Sequence, residues 1–239
     1  MWKLVLVDFD DTLVETAPAF HRARKALFNC LEEAGFQRER AQEVHYEEVE
    51  PELLALFGMG PSRLEPSFRD TYLRLCHGAG RAPDPRLADQ CSMLGRDFMG
   101  HPEVMDGAMD ALKALARRFP TLIYSQASHP DYQNGRIAES GVTEVLEEDR
   151  IVITPEKTPE AFRAILEAFG ISDPSRTLMI GNSLRSDINP ALMVGARAAL
   201  VEPYEMWHYD NVPPVSSDFL RFPTFPEAVK YLLGNGGAI

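Results

Sequence analysis

The segment from Leu4 to Thr12 constrains the fold of this chain more than any other. Four apolar residues, 4–7, run directly into Asp8 and Asp10, which are spaced two apart. A short, wholly apolar run is typical of a strand buried on both faces, as in a parallel sheet. Ligands bind at the carboxyl ends of such strands, and side chains two apart point the same way. We therefore expect Asp8 and Asp10 to face one ligand. A polar turn with Asp10 capping the next helix is the alternative.

The remaining strand-like segments lie in the second half of the chain and alternate with helical segments. Strands are predicted over 121–124, 150–153, 177–180 and 198–201, and helices over 104–118, 130–140, 159–169 and 188–194. This alternation predicts βαβ units and a parallel sheet. The region from about residue 16 to residue 100 contains only helix-like pieces, which are broken at 58–61 and 78–80. The predicted fold class is α/β: a Rossmann-like parallel-sheet core, 1–15 and 100–239, with an all-helical insert, 16–99. Within the core, 202–225 reads as a loop and 226–233 as a closing helix.

Composition limits the partners of this 239-residue chain. Its net charge of −12 argues against nucleic acid or an anionic membrane surface as a bulk partner, but not against a small anionic substrate. Cys30, Cys76 and Cys91 are odd in number and lack CxxC spacing, which predicts reduced thiols in a cytoplasmic protein. We find no signal-peptide pattern and no apolar run long enough to span a membrane. The sequence leaves the oligomeric state open.

Three further polar residues fall beside predicted strand ends or helix starts. Ser125 follows the strand 121–124, and its hydroxyl could hold a phosphoryl oxygen or cap a turn. Lys157 precedes a helix whose dipole disfavours a cation, which indicates an anionic partner nearby; an exposed surface lysine is the alternative. Asp187 follows Gly181 and Asn182. It could complete a Mg²⁺ site with Asp8 and Asp10, whose like charges need a cation or proton between them, or it could cap the next helix.

In this order, the segments resemble the motifs of the haloacid-dehalogenase-like hydrolase superfamily. They match as Asp8-Phe9-Asp10-Asp11-Thr12, Ser125, Lys157 and Gly181-Asn182-Ser183 with Asp187. The resemblance covers about 1–15 and 100–201, and it implies that the insert is a helical cap domain. It further implies that Asp8 is the nucleophile that forms an aspartyl-phosphate, and that Asp10 is a general acid and then a general base.

The resemblance also implies a ligand set. Mg²⁺ would be held by the Asp8 carboxylate, the Asp10 backbone carbonyl and the Asp187 carboxylate, with the Asn182 amide reaching it directly or through a water. Ser125, Lys157 and Thr12 would bind the phosphate.

Three residues depart from the family pattern. Asn182 stands where an acid is more frequent, so we expect weaker Mg²⁺ binding. Gln126 replaces a smaller residue. Asp11 stands where glycine is more frequent, and we expect its side chain to face solvent.

The leading functional prediction is a Mg²⁺-dependent phosphomonoester hydrolase acting on a small phosphorylated metabolite. Asp10 argues against a dehalogenase, because protonating an alkoxide leaving group needs a second carboxylate and displacing a halide does not. A sugar-phosphate mutase using the same intermediate remains open, as does a catalytically silent binding or regulatory protein of this fold. A phosphonate hydrolase would need a lysine in the cap, where only Lys25 is present.

Substrate choice is expected to depend on the insert, since a lid excludes water and contacts the substrate beyond its phosphate. The candidates are Glu15, Thr16, Arg63, Arg69 and Tyr72. Helix packing is the alternative for Tyr72, and a solvated face for the two arginines. The aromatic sequence 206–209 could border the active-site face, although a buried anchor is the simpler interpretation.

Overall fold

The computed structural model describes residues 1–58, 60–96, 99–202 and 212–234. The chain divides into two compact units, one formed by Met1–Ala17 with His101–Ile239 and the other by Pro18–Gly100. We call them the core unit and the helical unit. The aromatic sequence 206–209 lies outside the described residues. No helix in the described ranges is long and apolar enough to cross a membrane.

A six-stranded parallel sheet forms the centre of the core unit. The described strands are, in chain order, β1 (Leu4–Val7), β2 (Val14–Glu15), β3 (Glu103–Val104), β4 (Thr121–Gln126), β5 (Ile151–Thr154), β6 (Thr177–Gly181), β7 (Arg197–Val201) and β8 (Leu220–Phe222). The sheet order is β5-β4-β1-β6-β7-β8, and every neighbouring pair is parallel. Strand β1 is central, with Val7 opposite Ile123 of β4 and Ile180 of β6. The carboxyl ends of three strands therefore meet beside Asp8.

Helices of the core unit cover both faces of this sheet. The α-helices of the described residues of both units are, in chain order, α1 (Ala17–Glu33), α2 (Arg38–Glu43), α3 (Glu50–Phe57), α4 (Leu64–Gly78), α5 (Pro85–Arg96), α6 (Ala108–Arg118), α7 (Pro130–Glu139), α8 (Pro159–Ala168), α9 (Asn189–Met193) and α10 (Phe225–Gly234). Val5 and Val7 pack in a cluster that includes residues of α6 and α10, whereas Leu4 and Leu6 pack in one that includes residues of α8 and α9. Alternate residues of β1 thus face opposite layers, as a strand buried on both sides requires.

The helical unit has its own apolar core, which includes Leu27, Leu31, Leu64 and Phe68. A π-helical segment, Val44–Val49, joins α2 to α3. The three cysteines of the chain are buried in this unit as free thiols.

Two features differ from the sequence-based expectation. Strand β8 lies within the segment that was predicted to be a loop; three residues at the edge of a sheet carry too weak a pattern to distinguish from a loop. The helix predicted from Val104 begins only at Ala108, because Gly107 adopts a left-handed conformation (φ 73°) and Val104 pairs with Val14 instead.

Candidate active site

Asp8, Lys157 and Asp187 form a buried cluster at the carboxyl end of the central strand. The ammonium of Lys157 lies 2.5 Å from Asp8 Oδ1 and 2.6 Å from Asp187 Oδ1. The side chains are 8%, 2% and 1% exposed for Asp8, Lys157 and Asp187. The alternative of an exposed surface lysine at 157 is therefore wrong. The cluster carries one cation between two carboxylates.

Local backbone structure sets the position of each member. Asp8 extends β1, and its amide donates to the carbonyl of Ile180 at 2.9 Å. Lys157 precedes Thr158, whose hydroxyl caps α8 by accepting from the amide of Ala161. The backbone amide of Lys157 donates to the side chain of Gln126 at 3.2 Å, which gives that departure from the family pattern a structural role.

Asp187 lies in a π-helical segment, Leu184–Ile188, which two residues separate from the end of β6. Its Oδ2 accepts from the amide of Ser183 at 3.0 Å. A Cβ atom on Gly181 would overlap this carboxylate, so only glycine at the end of β6 allows it to lie there. Asn182 lies between Gly181 and Asp187 in the sequence and is half-buried.

The loop after β1 supports Asp8 from the other side. Thr12 is fully buried and donates its hydroxyl to Asp8 Oδ2 at 3.2 Å. Asp11 adopts a left-handed conformation (φ 53°) and accepts from the amides of Thr16 and Ala17 at 2.9 and 2.7 Å. Its side chain caps the start of α1, so the expectation that it faces solvent is wrong. Asparagine and aspartate tolerate this conformation better than other non-glycine residues, which explains an aspartate where glycine is frequent.

Asp10 has a different environment from Asp8. Its Oδ1 accepts from the hydroxyl of Thr16 and from a guanidinium nitrogen of Arg136, both at 2.6 Å. Its Oδ2 accepts from the amide of Gln133 at 2.5 Å. Its side chain is 27% exposed. Two carboxylates two residues apart are thus held by separate partners.

Ser125 lies within β4, one residue before the strand ends, and is fully buried. Its hydroxyl oxygen accepts from the amide of Gln133 at 2.9 Å. Gln133 therefore links Ser125 to Asp10.

Burial and neighbouring charges together shift the pKa values of this site. Burial raises the pKa of Asp8 to about 8; Lys157 opposes this shift and the nearby carboxylate of Asp187 adds to it. Burial alone would lower the pKa of Lys157, but Asp187 and Asp8 raise it above its ordinary value. Burial also raises the pKa of Asp11 to about 6, although the amides that it accepts from lower it.

The predicted specificity residues are distributed over both units. Glu15 is exposed on β2, and Thr16 is buried against Asp10. Within the helical unit, Arg63 is buried and pairs with Glu50 at 3.2 Å, so a solvated face does not describe it. Arg69 is half-exposed and lies 3.5 Å from Asp89. Tyr72 is buried, and its hydroxyl accepts from the amide of Asp84.

Sequence reasoning missed Gln133 and Arg136, which hold Asp10. One signal was present: α7 flanks a parallel sheet, yet few of its residues are apolar. A helix packed on a sheet normally presents an apolar stripe, so a polar one indicates polar burial.

Two of the predicted metal ligands, Asp8 and Asp187, lie close to each other around Lys157. Among the residues that the structure describes, no three His, Cys, Asp or Glu side chains gather as a metal cluster. Asp8 and Asp187 approach the same Lys157 ammonium. Their carboxylates are the hard oxygen donors that Mg²⁺ prefers, and glycine at 181 leaves room for one of them at the strand end. The residues present fit such an ion.

A family model describing a haloacid dehalogenase-like hydrolase matches residues 2–195. The chain belongs to this family. It is 26% identical over 221 residues to N-acetylmuramic acid 6-phosphate phosphatase of Pseudomonas aeruginosa, covering 88% of this chain and 86% of that protein. A haloacid dehalogenase-like hydrolase of Xanthomonas campestris shares its fold, with a TM-score of 0.77, 24% identity and coverage of 99% of this chain and 94% of the other.

A second solved structure is the HAD-hydrolase YfnB of Bacillus subtilis bound to magnesium. It has a TM-score of 0.64 and 20% identity, covering 97% of this chain and 98% of the other. These matches confirm the predicted family and its Rossmann-like α/β fold, and they make the chain an enzyme of a hydrolase family.

Proposed function

We propose that the protein is a Mg²⁺-dependent phosphomonoester hydrolase that acts on a small phosphorylated metabolite through an aspartyl-phosphate on Asp8. One observation carries the proposal: Asp8 and Asp10 share the end of β1 but have different partners. Asp8 lies against Lys157, whose positive charge is what a nucleophile needs near an anionic substrate. Asp10 is partly exposed, as a group that exchanges protons needs to be. The phosphatase of Pseudomonas aeruginosa supports this substrate class.

The chemistry takes two displacements at phosphorus. A carboxylate oxygen of Asp8 forms a bond to phosphorus while the bond to the leaving oxygen breaks, and Asp10 gives its proton to that oxygen. Asp10 then takes a proton from a water that attacks the same phosphorus, which frees phosphate and restores Asp8. Lys157 and the Ser125 hydroxyl stabilise the phosphoryl oxygens by charge and hydrogen bonding.

Asp8, the Asp10 backbone carbonyl and Asp187 would hold the magnesium ion, with Asn182 near them. The ion would supply positive charge against the developing charge on the phosphoryl group. The magnesium-bound structure of the Bacillus subtilis protein supports this assignment.

We also propose that the helical unit is the cap that selects the substrate beyond its phosphate. Arg63 and Tyr72 are buried and bonded to other residues of that unit. Glu15 and Arg69, whose side chains are exposed, are therefore the two strongest of the five candidates. Alanine variants of these two residues should change the ratio of kcat/KM between phosphate esters rather than kcat for all of them.

The proposal is tested by measuring phosphate release from p-nitrophenyl phosphate, phosphorylated sugars, nucleotides and phosphoglycolate, with MgCl₂ or with EDTA. We expect Mg²⁺-dependent turnover that falls by at least about 10³-fold in Asp8→Asn. No turnover above that variant on any substrate would contradict an enzymatic role. Consumption of a phosphosugar without release of phosphate would replace the hydrolase with a mutase.

A further inference from the structure

Helix α7 carries two buried polar side chains, Gln133 and Arg136, which the proposed mechanism does not use. They are 3% and 6% exposed. Residues three apart lie on the same face of a helix, so both point to the same side of α7. A buried guanidinium is costly unless charged or polar partners compensate it, so its partners show what the pair does.

The hydrogen bonds of Gln133 fix the direction of its amide. Its Oε1 accepts from Arg136 Nη1 at 3.0 Å. Its Nε2 donates one hydrogen to Asp10 Oδ2 at 2.5 Å and lies 2.9 Å from Ser125 Oγ, to which it donates the other. The reverse orientation would bring an amide oxygen against the carboxylate of Asp10 and an amide nitrogen against a guanidinium, and neither contact is a hydrogen bond.

This direction sets the role of the Ser125 hydroxyl. Because its oxygen accepts from Gln133, its own hydrogen is left to be donated elsewhere. A phosphoryl oxygen is an acceptor only, so Ser125 is prepared to bind one.

Arg136 orients the other oxygen of Asp10 by hydrogen bonding. One guanidinium nitrogen donates to Asp10 Oδ1 at 2.6 Å, and the other donates to the hydroxyl of Thr16 at 3.0 Å. The guanidinium lies over the ring of Phe9, 5.4 Å from its centroid. Both oxygens of Asp10 are therefore held by α7.

We propose that Gln133 and Arg136 are positioning residues that act through Asp10 and Ser125. Arg136 orients the Gln133 amide and one oxygen of Asp10, and Gln133 orients the other oxygen and the Ser125 hydroxyl. The inference rests on the proposed phosphatase function. Asp10 gives its proton to the leaving oxygen. The loss of a residue that positions Asp10 should therefore cost most activity on substrates whose leaving oxygen most needs that proton.

The test compares substrates with different leaving groups at saturating MgCl₂. p-Nitrophenolate is a stable anion that needs little protonation, whereas glycerol 2-phosphate releases an alkoxide that needs a full proton. For Arg136→Met we expect kcat/KM to fall about 100-fold on glycerol 2-phosphate and less than about 10-fold on p-nitrophenyl phosphate. Arg136→Lys keeps a buried cation but loses the planar fork, so we expect the same order of losses even if the methionine variant folds poorly.

An exposed arginine provides the matched control. Arg163→Met removes a guanidinium that pairs with Glu160 on the surface of α8, and it should leave both substrates unchanged. Equal losses on both substrates in the Arg136 variants would show a merely structural role and overturn the inference. Absence of turnover in the wild-type protein would instead refute the proposed function, so the two failures are distinguishable.

The link to Ser125 has its own test on p-nitrophenyl phosphate. Gln133→Met keeps the length of the side chain but donates no hydrogen bond. We expect it to reduce kcat/KM less in a Ser125→Ala background than in the wild type, because the two changes remove one interaction. An equal reduction in both backgrounds would show that Gln133 does not act through Ser125.

Discussion

Each unit of the protein holds a cluster of three charged side chains that are at most 13% exposed, and the two clusters are built in opposite ways. In the core unit Lys157 lies between Asp8 and Asp187, so carboxylates outnumber cations. In the helical unit Glu50 accepts from Arg24 at 2.5 Å and from Arg63 at 3.2 Å, so cations outnumber carboxylates.

The clusters also differ in how completely their polar atoms are paired. All four carboxylate oxygens of Asp8 and Asp187 accept hydrogen bonds, from Lys157, Thr12 and the backbone of Ser183. In the helical unit both arginines bond to the same oxygen of Glu50, and its Oε2 has no partner among the described residues.

Stacking adds further contacts to the arginine cluster: both guanidiniums lie over the ring of Phe20, at 5.5 and 5.4 Å from its centroid. Burial of charge alone therefore does not mark a catalytic site. Position at the strand ends, with every oxygen held, is what distinguishes the core cluster.

The largest expected effect comes from crowding the core cluster without removing any of its charges. Gly181→Ala places a methyl group too close to the Asp187 carboxylate, so that this carboxylate or the backbone at 181 must shift. We expect kcat/KM on p-nitrophenyl phosphate to fall by about 10²-fold or more, since small displacements of catalytic groups cost that much. Gly135→Ala, where a Cβ meets no atom within 4 Å, is the control and should keep its activity. Full activity in Gly181→Ala would refute the importance of this carboxylate.

A second test uses pH to perturb the helical unit. Burial lowers the pKa of His45 to about 4; Glu50 opposes the shift, and Arg24 and Arg63 add to it. The unfolded chain binds a proton at this residue near pH 6.5 and the folded protein only near pH 4. The unfolded state therefore takes up more protons in between, and the free energy of unfolding falls as the pH drops through this window. The shift corresponds to roughly 3 kcal/mol.

The test is urea denaturation of the wild type and His45→Phe at pH 7 and pH 4. Phenylalanine suits the site, which Phe28, Tyr46 and Phe68 surround. We expect the variant to lose less stability on acidification than the wild type, by that amount. His101→Asn, at an exposed histidine, should behave as the wild type. Identical acid sensitivity in both proteins would show that His45 titrates normally.

How much was predictable depended on whether a residue's partners are local. The β1 strand and the pair Asp8 and Asp10 could be predicted, because period and position at a strand end carry that information within a few residues. The partners of Asp10 could not, since Arg136 lies 126 residues away and the polar character of α7 does not show which residue it contacts. Arg63 was missed as a buried residue for the same reason. Arg63 is buried where it pairs with Glu50, 13 residues away in the sequence. The helical pattern alone does not show which way that carboxylate faces.

A smaller effect is expected where two helices of the helical unit approach closely. A Cβ atom on Gly95 of α5 would lie 2.5 Å from the carbonyl oxygen of Leu64 at the start of α4. Gly95→Ala should therefore lower the free energy of unfolding by about 1–3 kcal/mol, the usual cost of overpacking. Gly78→Ala, where a Cβ meets nothing within 4 Å, should change it by less than about 1 kcal/mol. Unlike Gly181→Ala, the Gly95 variant should keep its kcat where it remains folded.

The smallest effect is expected at Asp11, which belongs to neither cluster. Asp11→Ala removes the acceptor of the amides of Thr16 and Ala17 and places alanine in a left-handed conformation. We expect a loss of about 1–2 kcal/mol in thermal or urea denaturation. Asp11→Asn keeps the acceptor oxygen and tolerates the same backbone, so it should stay within about 0.5 kcal/mol of the wild type. If both variants lost the same stability, the negative charge of Asp11 rather than its capping hydrogen bonds would be what stabilises the start of α1.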